Sequence, residues 1–193
     1  MAADDPDAAS ERVALDRARA GDHRAFEALA ARHTDQLDRF LLTMTGDAAI
    51  AADLRQDTLQ RAWTKLTQLG DDARFRSWLL AIAANAARNH LRAEVQRRHS
   101  GDEALAEVAE HRRSALSSIV RREDATRLAL AIDRLPIALR EAFVLFVVED
   151  LPYAEIATIT GVAEGTLQVR VHRAKALLRQ QLGSVVDTFW ARR

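Results

Sequence analysis

A helix-forming segment near the end of the chain carries many basic and amide side chains. Its apolar residues recur at spacings of three and four, which predicts one buried stripe along a helix: Leu167, Val171, Ala174 and Leu178. The residues off that stripe can hydrogen-bond to base edges and neutralise phosphates. An arginine that contacts a guanine edge with two hydrogen bonds contributes roughly 1–3 kcal/mol of discrimination. These off-stripe residues are Gln168, Val169, Arg170, His172, Arg173, Lys175 and Arg179.

A short apolar segment and a glycine precede this basic segment. Pro152 suits the first position of a helix, where a missing N–H does no harm. Gly161 predicts the turn that ends that helix. A short helix, a turn and a longer basic helix form a helix-turn-helix, whose second helix enters the DNA major groove. A solvated basic surface helix is the simpler alternative and would be favoured on charge alone, but the preceding helix and turn favour DNA binding.

A second polar cluster lies in the middle of the chain. Asn85, Arg88, Asn89 and Arg92 are three, one and three residues apart, so they share one strip of a helix. Amides and cations together suit base edges and phosphates, and an unpaired base also needs a pocket. The loop at residues 71–74 is a candidate wall for such a pocket. The alternative is that the two asparagines only satisfy backbone or helix-packing partners.

A third cluster offers carboxylates to a partner. Asp53 and Asp57 are four residues apart and point the same way, and Gln56 lies beside them. They could present a polar patch to a basic partner helix. Because exposed helical carboxylates are common, this cluster is weak evidence by itself.

The elements that position these clusters are predicted to be helices. Of 193 residues, 48% are hydrophobic and only 7 are Gly and 3 Pro, and few windows alternate with period two, so the predicted class is all-α. We expect a short helix from Glu11 to Ala20 and a single helix from Asp22 to Gly46. A third helix follows the Asp47 cap and a fourth starts near Phe75. The stripe of the second helix is Phe26, Leu29, His33, Leu37, Phe40, Leu41 and Met44.

Composition also limits the function. The 28 basic and 28 acidic residues cancel, which argues against a protein that coats DNA non-specifically. The absence of cysteine excludes disulfides and cysteine zinc sites, and the six His lack paired spacing, so no metal or cofactor is expected. No nucleophile–base pair or phosphate loop is apparent, so an enzyme is disfavoured. The acidic N-terminus is not a secretory signal and no apolar run is long enough to span a membrane, so a cytoplasmic location is expected.

The predicted organisation is two small helical domains joined by a flexible linker. The linker segment is polar and has a Ser-Gly break, although a solvated helix packed on one domain is an alternative. Phe189 and Trp190 in the C-terminal tail either pack on the second domain or contact a regulator. The expected divisions are an N-terminal tail with a short helix at 1–17, a first domain at 18–95, the linker at 96–120, a second domain at 121–183 and a tail at 184–193.

The order of these pieces resembles an extracytoplasmic-function (ECF) sigma factor of bacterial RNA polymerase. The first domain is similar to sigma region 2 through the strings AGDHRAFEALAARH, ADLRQDTLQRAW and FRSWLLAIAANAARNHLR. The second is similar to region 4 through LPIALREAFVLFVVEDLPYAEIATITGV and EGTLQVRVHRAKALLR. Each string is moderately specific, and all of them in this order are highly specific. The resemblance covers most of the chain.

The resemblance implies that the protein is not an enzyme, and that it binds core RNA polymerase and promoter DNA and is held inactive by an anti-sigma factor. It implies that one base of the minus-ten element is flipped into a pocket near the 71–74 loop, and that Phe75 and Trp78 are mainly structural. The residues it assigns to core polymerase are Asp53, Gln56 and Asp57. Those it assigns to the minus-ten element are Asp72, Arg74, Asn85, Arg88, Asn89 and Arg92. Those it assigns to the minus-thirty-five element are Thr166, Gln168, Val169, Arg170, His172, Arg173 and Lys175.

The chain departs from the family pattern in the segment that resembles the docking helix. Ile50 and Ala52 stand where acids are common, and Arg55 adds a positive charge. We therefore expect weaker core binding or a need for added negative charge. Thr58 is close enough to receive a phosphate, which carries about −1.5 to −2 charges.

A second departure is Gln168-Val169, which replaces a more usual basic-plus-hydroxyl pair. It predicts a distinct promoter preference, with Val169 touching a thymine methyl. Two other functions remain open on the sequence. One is a stand-alone helix-turn-helix regulator, and the other is a helical adaptor that has lost DNA binding, which the retained Arg88, Arg92, Arg170 and Arg173 disfavour.

Overall fold

The computed structural model describes residues 6–70, 74–99 and 121–183. Every regular element in these ranges is helical, which confirms the all-α prediction. The predictions for the linker, for Asp72 and for the C-terminal Phe189 and Trp190 lie outside the described residues. The helices of the described part are α1 (Pro6–Arg19), α2 (His23–Ala31), α3 (Thr34–Thr45), α4 (Ala48–Lys65), α5 (Phe75–His99), α6 (Arg121–Asp133), α7 (Ile137–Phe143), α8 (Tyr153–Thr160) and α9 (Glu164–Leu182), with a 3₁₀ turn at Leu66–Gln68 and a π-helical turn at Val144–Val148.

Carboxylate caps begin two of the first helices, as the sequence predicts. The Asp22 side chain accepts the Ala25 N–H at 3.1 Å, and this bond together with Arg17 holds the pKa of that carboxyl below its usual value. The Asp47 side chain accepts the N–H groups of Ala49 and Ile50 at 2.8 and 3.0 Å. These bonds satisfy N–H groups that have no partner within the helix.

The predicted single helix from Asp22 to Gly46 is wrong. The chain instead forms α2 and α3 with a break at residues 32–33. The Thr34 hydroxyl donates to the Ala30 carbonyl at 3.1 Å, and the His33 N–H bonds the same carbonyl at 3.0 Å. Because the apolar stripe stays in phase across this break, its periodicity did not reveal the break.

Two helices run further than the sequence suggested. Helix α1 begins at Pro6 rather than Glu11, and α5 continues to His99, past the expected domain boundary at residue 95. The α1 extension is Pro-Asp-Ala-Ala-Ser and the α5 extension is Gln-Arg-Arg-His, so neither has an apolar periodicity that marks the end of its helix.

The first half of the described chain (residues 6–70 and 74–99) and the second half (residues 121–183) share one continuous buried core. Phe40 and Phe75 are buried in the first half, and Phe143 and Ile156 in the second, and all belong to the same cluster. Helix α5 packs on α7 and α8, while α3 packs on α6 and on the π-helical turn. The sequence predicts two tethered domains, and their direct packing on each other is visible only in the structure.

A buried arginine crosses between the halves. The Arg140 side chain is only 6% exposed, and its guanidinium donates to the Met44 carbonyl at the end of α3 at 2.7 Å. It also pairs with the Asp133 carboxylate at 2.9 Å. The second half thus supplies a charge-assisted hydrogen bond to the C-terminal end of a first-half helix, where a cation is favoured.

Thr58 lies on the side of α4 that faces the protein core, and it is 0% exposed. Its hydroxyl oxygen is buried and, within the described residues, has no hydrogen-bond partner. A kinase cannot reach this hydroxyl in the folded helix, and a phosphate would have to be buried. The suggestion that Thr58 carries a regulatory phosphate is therefore wrong for the folded protein.

Replacing Arg140 with alanine is expected to lower the free energy of unfolding by about 3 kcal/mol, because removing one partner strands the buried charge and carbonyl that it contacts. Arg134→Ala, at an exposed neighbouring position, should change stability by no more than about 0.5 kcal/mol. Denaturant titration followed by circular dichroism measures both. Equal effects of the two substitutions would contradict the assigned role of Arg140.

Thr58→Val is expected to leave the free energy of unfolding unchanged or to raise it by about 1 kcal/mol. The substitution replaces an unpaired buried hydroxyl with a methyl group of nearly the same shape. Thr58→Ala should instead destabilise the protein by about 1 kcal/mol, because it leaves a cavity. The same titrations measure both variants, and a Val variant less stable than the Ala variant would show that the hydroxyl is hydrogen-bonded.

Candidate nucleic-acid interface

Helix α9 is held against the second half by a narrow apolar stripe. The predicted residues Leu167, Val171, Ala174 and Leu178 are all buried and pack against α7 and α8. The residues that the sequence predicts to face DNA lie on the other sides of the helix. Thr166, Gln168, Val169, His172 and Arg173 are exposed, and Arg170 and Lys175 are half-buried.

The turn before α9 has the geometry that the sequence predicts. Gly161 ends α8 in the left-handed region at φ 70°, which costs a glycine little. The Thr160 hydroxyl donates to the Ile156 carbonyl at 2.8 Å and accepts the Val162 N–H at 3.3 Å. This short, bonded turn fixes the direction in which α9 leaves α8.

An aromatic stack joins the π-helical turn to α8, and a lysine of α9 lies over it. The Phe146 and Tyr153 rings are stacked with centroids 4.4 Å apart, and the Lys175 ammonium lies 5.5 Å from the Phe146 centroid. Burial raises the pKa of Tyr153. A cation–π contact of this kind contributes about 0.5–1 kcal/mol. This contact holds the Lys175 ammonium of α9 close to the π-helical turn that precedes α8.

The strip predicted on α5 is only partly open to solvent. Asn85, Asn89 and Arg92 are exposed, so the asparagines do not serve helix packing. Arg88 is half-buried because its guanidinium donates to the Glu141 carboxylate of α7 at 2.7 and 3.1 Å. Arg74 is exposed just before α5.

The segment beside the 71–74 loop lies at a cleft between the two halves. Arg74 and Trp78 line this cleft from the first half, and Pro152 and Thr158 line it from the second. Phe75 is buried, and its ring lies 6.0 Å from that of Trp78. The two aromatic residues therefore occupy different environments: Phe75 is buried in the core, and Trp78 lies at the edge of the cleft.

Helix α4 presents a polar surface on which the positive charge of Arg55 is offset by a neighbouring carboxylate. Asp53 and Gln56 are exposed, and Asp57 pairs with Arg61 at 2.9 Å. Arg55 pairs with Asp38 of α3 at 2.8 Å. The neighbouring helix thus supplies a carboxylate that offsets the unexpected Arg55 charge, which the sequence of α4 alone did not reveal.

Three glutamates of the second half bind first-half arginines, and none of these pairs was predicted from the sequence. Besides Arg88–Glu141, Arg39 pairs with Glu149 at 2.7 Å and Arg76 with Glu155 at 2.6 Å. Two of the glutamates, Glu141 and Glu149, lie inside an apolar run. A buried carboxylate needs a hydrogen-bonding or charged partner. The position of these two glutamates in an apolar run therefore indicated that they are paired, but it did not indicate which residues pair with them.

Comparison with known protein families gives one match in each half of the chain. Residues 29–98 match the family "Sigma-70 region 2", and residues 125–178 match "Sigma-70, region 4". The first match covers α3, α4 and nearly all of α5, and the second covers most of α6, all of α7 and α8 and most of α9. None of the described helices has the length and hydropathy needed to cross a membrane.

Several relatives are similar along nearly their whole length. The RNA polymerase sigma factor CarQ of Myxococcus xanthus is 34% identical over 89% of this chain and 97% of its own. The ECF RNA polymerase sigma factor SigL of Mycobacterium tuberculosis is 34% identical over 86% of this chain and 95% of its own. The probable RNA polymerase sigma factor RfaY of Xanthomonas campestris is 30% identical, but the match spans only 44% of its length.

Solved structures show the same architecture. CnrH, solved in complex with the cytosolic domain of CnrY, is 26% identical with a TM-score of 0.68 over 91% of this chain and 98% of CnrH. The sigma factor RpoE of Bartonella quintana, solved with the anti-sigma factor NepR, has a TM-score of 0.65 at 24% identity over 81% of this chain and 96% of RpoE, which shows the shared fold. With a helix-turn-helix, a polar helical strip and full-length relatives in agreement, this chain belongs to the ECF family of RNA polymerase sigma factors.

Proposed function

We propose that this chain binds core RNA polymerase, recognises the minus-thirty-five and minus-ten promoter elements and promotes transcription initiation. The observation that carries the proposal is the exposed face of α9, seated by a buried apolar stripe on a short helix and turn. A helix presented in this way fits the major groove. The protein acts by positioning polymerase and DNA and catalyses no reaction of its own.

Each surface has a distinct role in this proposal. Arg173 and Gln168 read base edges of the minus-thirty-five element, while Lys175 contacts phosphate. On α5, Asn85 and Asn89 contact the minus-ten element, and the cleft beside Trp78 is the candidate pocket for one flipped base.

The α4 surface docks on the polymerase, and this step couples DNA recognition to transcription. Asp53 and Gln56 are exposed there and suit a basic helix of the partner. The chain works with polymerase in the cytoplasm. An anti-sigma factor is a further proposed partner, as NepR is for RpoE of Bartonella quintana.

A stand-alone regulator is the second candidate, because the α9 face is exposed without any partner present. Such a regulator would shift its operator in the absence of polymerase. The two functions are therefore separated by whether specific binding requires core polymerase.

Purified protein mixed with core polymerase and genomic fragments is expected to give discrete transcripts that neither component gives alone. Sequencing of the 5′ ends identifies the promoters, and their upstream regions should share two sequence elements. An Asp53→Lys, Asp57→Lys double variant should lose at least tenfold of this activity, because it opposes a basic partner surface. Protein that shifts the same fragments equally well without polymerase would support the regulator instead.

Arg173→Ala is expected to reduce transcription from these promoters by about 5- to 150-fold, which corresponds to roughly 1–3 kcal/mol of base discrimination. Gln180→Ala, at an exposed position in the last turn of α9, is the matched control and should stay within about twofold. Run-off transcription with single base changes across the minus-thirty-five element locates the contact. If Arg173→Ala weakens all sequences equally, Arg173 contacts phosphate and not a base.

A further inference from the structure

The cleft between the two halves lies where α5 packs on α8. Its volume is about 490 Å³, and two of the residues that line it, Arg74 and Thr158, are exposed to solvent. Sites for small ligands are clefts of roughly 300–1,000 Å³ with mostly apolar walls and a few polar groups, and they occur preferentially at interfaces between domains. The size and the position of this cleft are therefore those of a small-molecule site.

The apolar walls of the cleft suit a flat ring. Trp78 of α5 lines the cleft and is half-buried, and its ring centroid lies 6.0 Å from that of the buried Phe75. Pro152 and Ala154 line the cleft from α8 and present only small apolar groups, so they leave space beside the indole. Any nucleic-acid base can stack on an aromatic side chain, because every base has a π-face.

The Glu155 carboxylate, which also lines the cleft, is already paired. It accepts hydrogen bonds from the Arg76 guanidinium at 2.6 and 2.8 Å and from the Ser77 hydroxyl at 2.8 Å. Because Arg76 compensates its charge, Glu155 repels an anion in the cleft much less than an unpaired carboxylate would.

Arg74 supplies a positive charge to the cleft. It is exposed, and within the described residues its guanidinium has no hydrogen-bond or ion-pair partner. A guanidinium can bind a phosphate with two parallel hydrogen bonds. Helix α8 begins beside the cleft at Pro152, which provides no side-chain cap, and the first turn of a helix favours negative charge. Together these groups suit a ligand that carries an anionic group as well as a flat ring.

We propose that the cleft binds a free nucleoside monophosphate, with the base stacked on Trp78 and the phosphate held by Arg74. A nucleotide combines the ring and the anion that the two residues fit. The α5 wall is also the candidate pocket for a flipped base, which brings the same ring and phosphate from DNA. The bound nucleotide therefore competes with the minus-ten strand for Trp78. The site goes beyond the proposed function, and only this competition rests on it.

Calorimetric titration of the full-length chain with adenosine 5′-monophosphate (AMP) tests the site directly. AMP is expected to bind with one-to-one stoichiometry. Adenosine lacks the phosphate and ribose 5-phosphate lacks the base, so each should bind at least about tenfold more weakly. Ribose 5-phosphate that binds as well as AMP would overturn the proposal, because the cleft would then hold any small anion.

Substitutions on the α5 wall test the two assigned contacts. Trp78→Leu removes the stacking partner and is expected to weaken AMP binding by about 5- to 150-fold, whereas Trp78→Phe keeps a ring and should retain most of the affinity. Arg74→Gln should weaken AMP binding by about tenfold or more and leave the binding of adenosine unchanged. Arg24→Gln, at an exposed position on α2, is the matched control and should bind AMP like the parent protein.

A substitution on the α8 wall separates the nucleotide site from the base pocket. Ala154 is exposed and lies outside the candidate DNA surfaces, so Ala154→Phe fills the cleft without changing them. This variant is expected to lose AMP binding and to keep transcription with core polymerase within about twofold of the parent. Undiminished AMP binding by Ala154→Phe would place the nucleotide elsewhere and overturn the proposal.

Photolabelling with 8-azido-AMP, followed by mass spectrometry of the peptides, locates the ligand independently. Label on peptides of α5 and α8 supports the site, and label confined to other helices would overturn it. The binding measurements use no polymerase, so the two proposals fail separately. A chain that gives transcripts with core polymerase but binds no AMP lacks the nucleotide site. A chain that binds AMP in the cleft but gives no transcripts lacks the proposed function.

Discussion

Electrostatic pairing between the two halves is the constraint on which the arrangement of this protein depends. Glu149 and Glu141 are buried carboxylates, and each is stable there because an arginine of the other half donates to it. Arg140 makes the reciprocal contact, from the second half to the carbonyl of Met44. These charged contacts surround an apolar core that is continuous across both halves. The relative position of the two candidate DNA surfaces therefore follows from ionic contacts, which water can replace, as well as from apolar packing.

This arrangement explains why the candidate surfaces differ in accessibility. Helix α9 uses only a narrow stripe, from Leu167 to Leu178, for packing, and its opposite face remains open. Helix α5 packs on neighbours in both halves, so its polar strip is divided between solvent and a contact with Glu141 of the second half. Asn85 is exposed, whereas Arg88, one turn away, is bonded to Glu141. A long central helix thus combines structural support with a candidate recognition surface that is partly covered.

Local chemistry made much of the fold predictable. The caps at Asp22 and Asp47, the turn at Gly161 and the buried stripe of α9 depend on neighbouring residues, and the structure has each of them. The break between α2 and α3 was not predictable from periodicity, because the apolar stripe continues in phase across it. The burial of Thr58 was missed for a related reason: its position on α4 is fixed by the helices that pack on it and not by its neighbours in sequence.

The sequence by itself determined the helical class, the helix-turn-helix and the three polar clusters, because each is encoded by residues within a few turns of one another. Only the tertiary structure decided which charges meet. Arg55 is offset by Asp38, and Arg39 is paired with Glu149 from 110 residues away. No local rule joins such residues, since their approach depends on how whole helices pack. Whether a charged residue faces solvent, DNA or a glutamate of the other half is therefore a property of the folded chain.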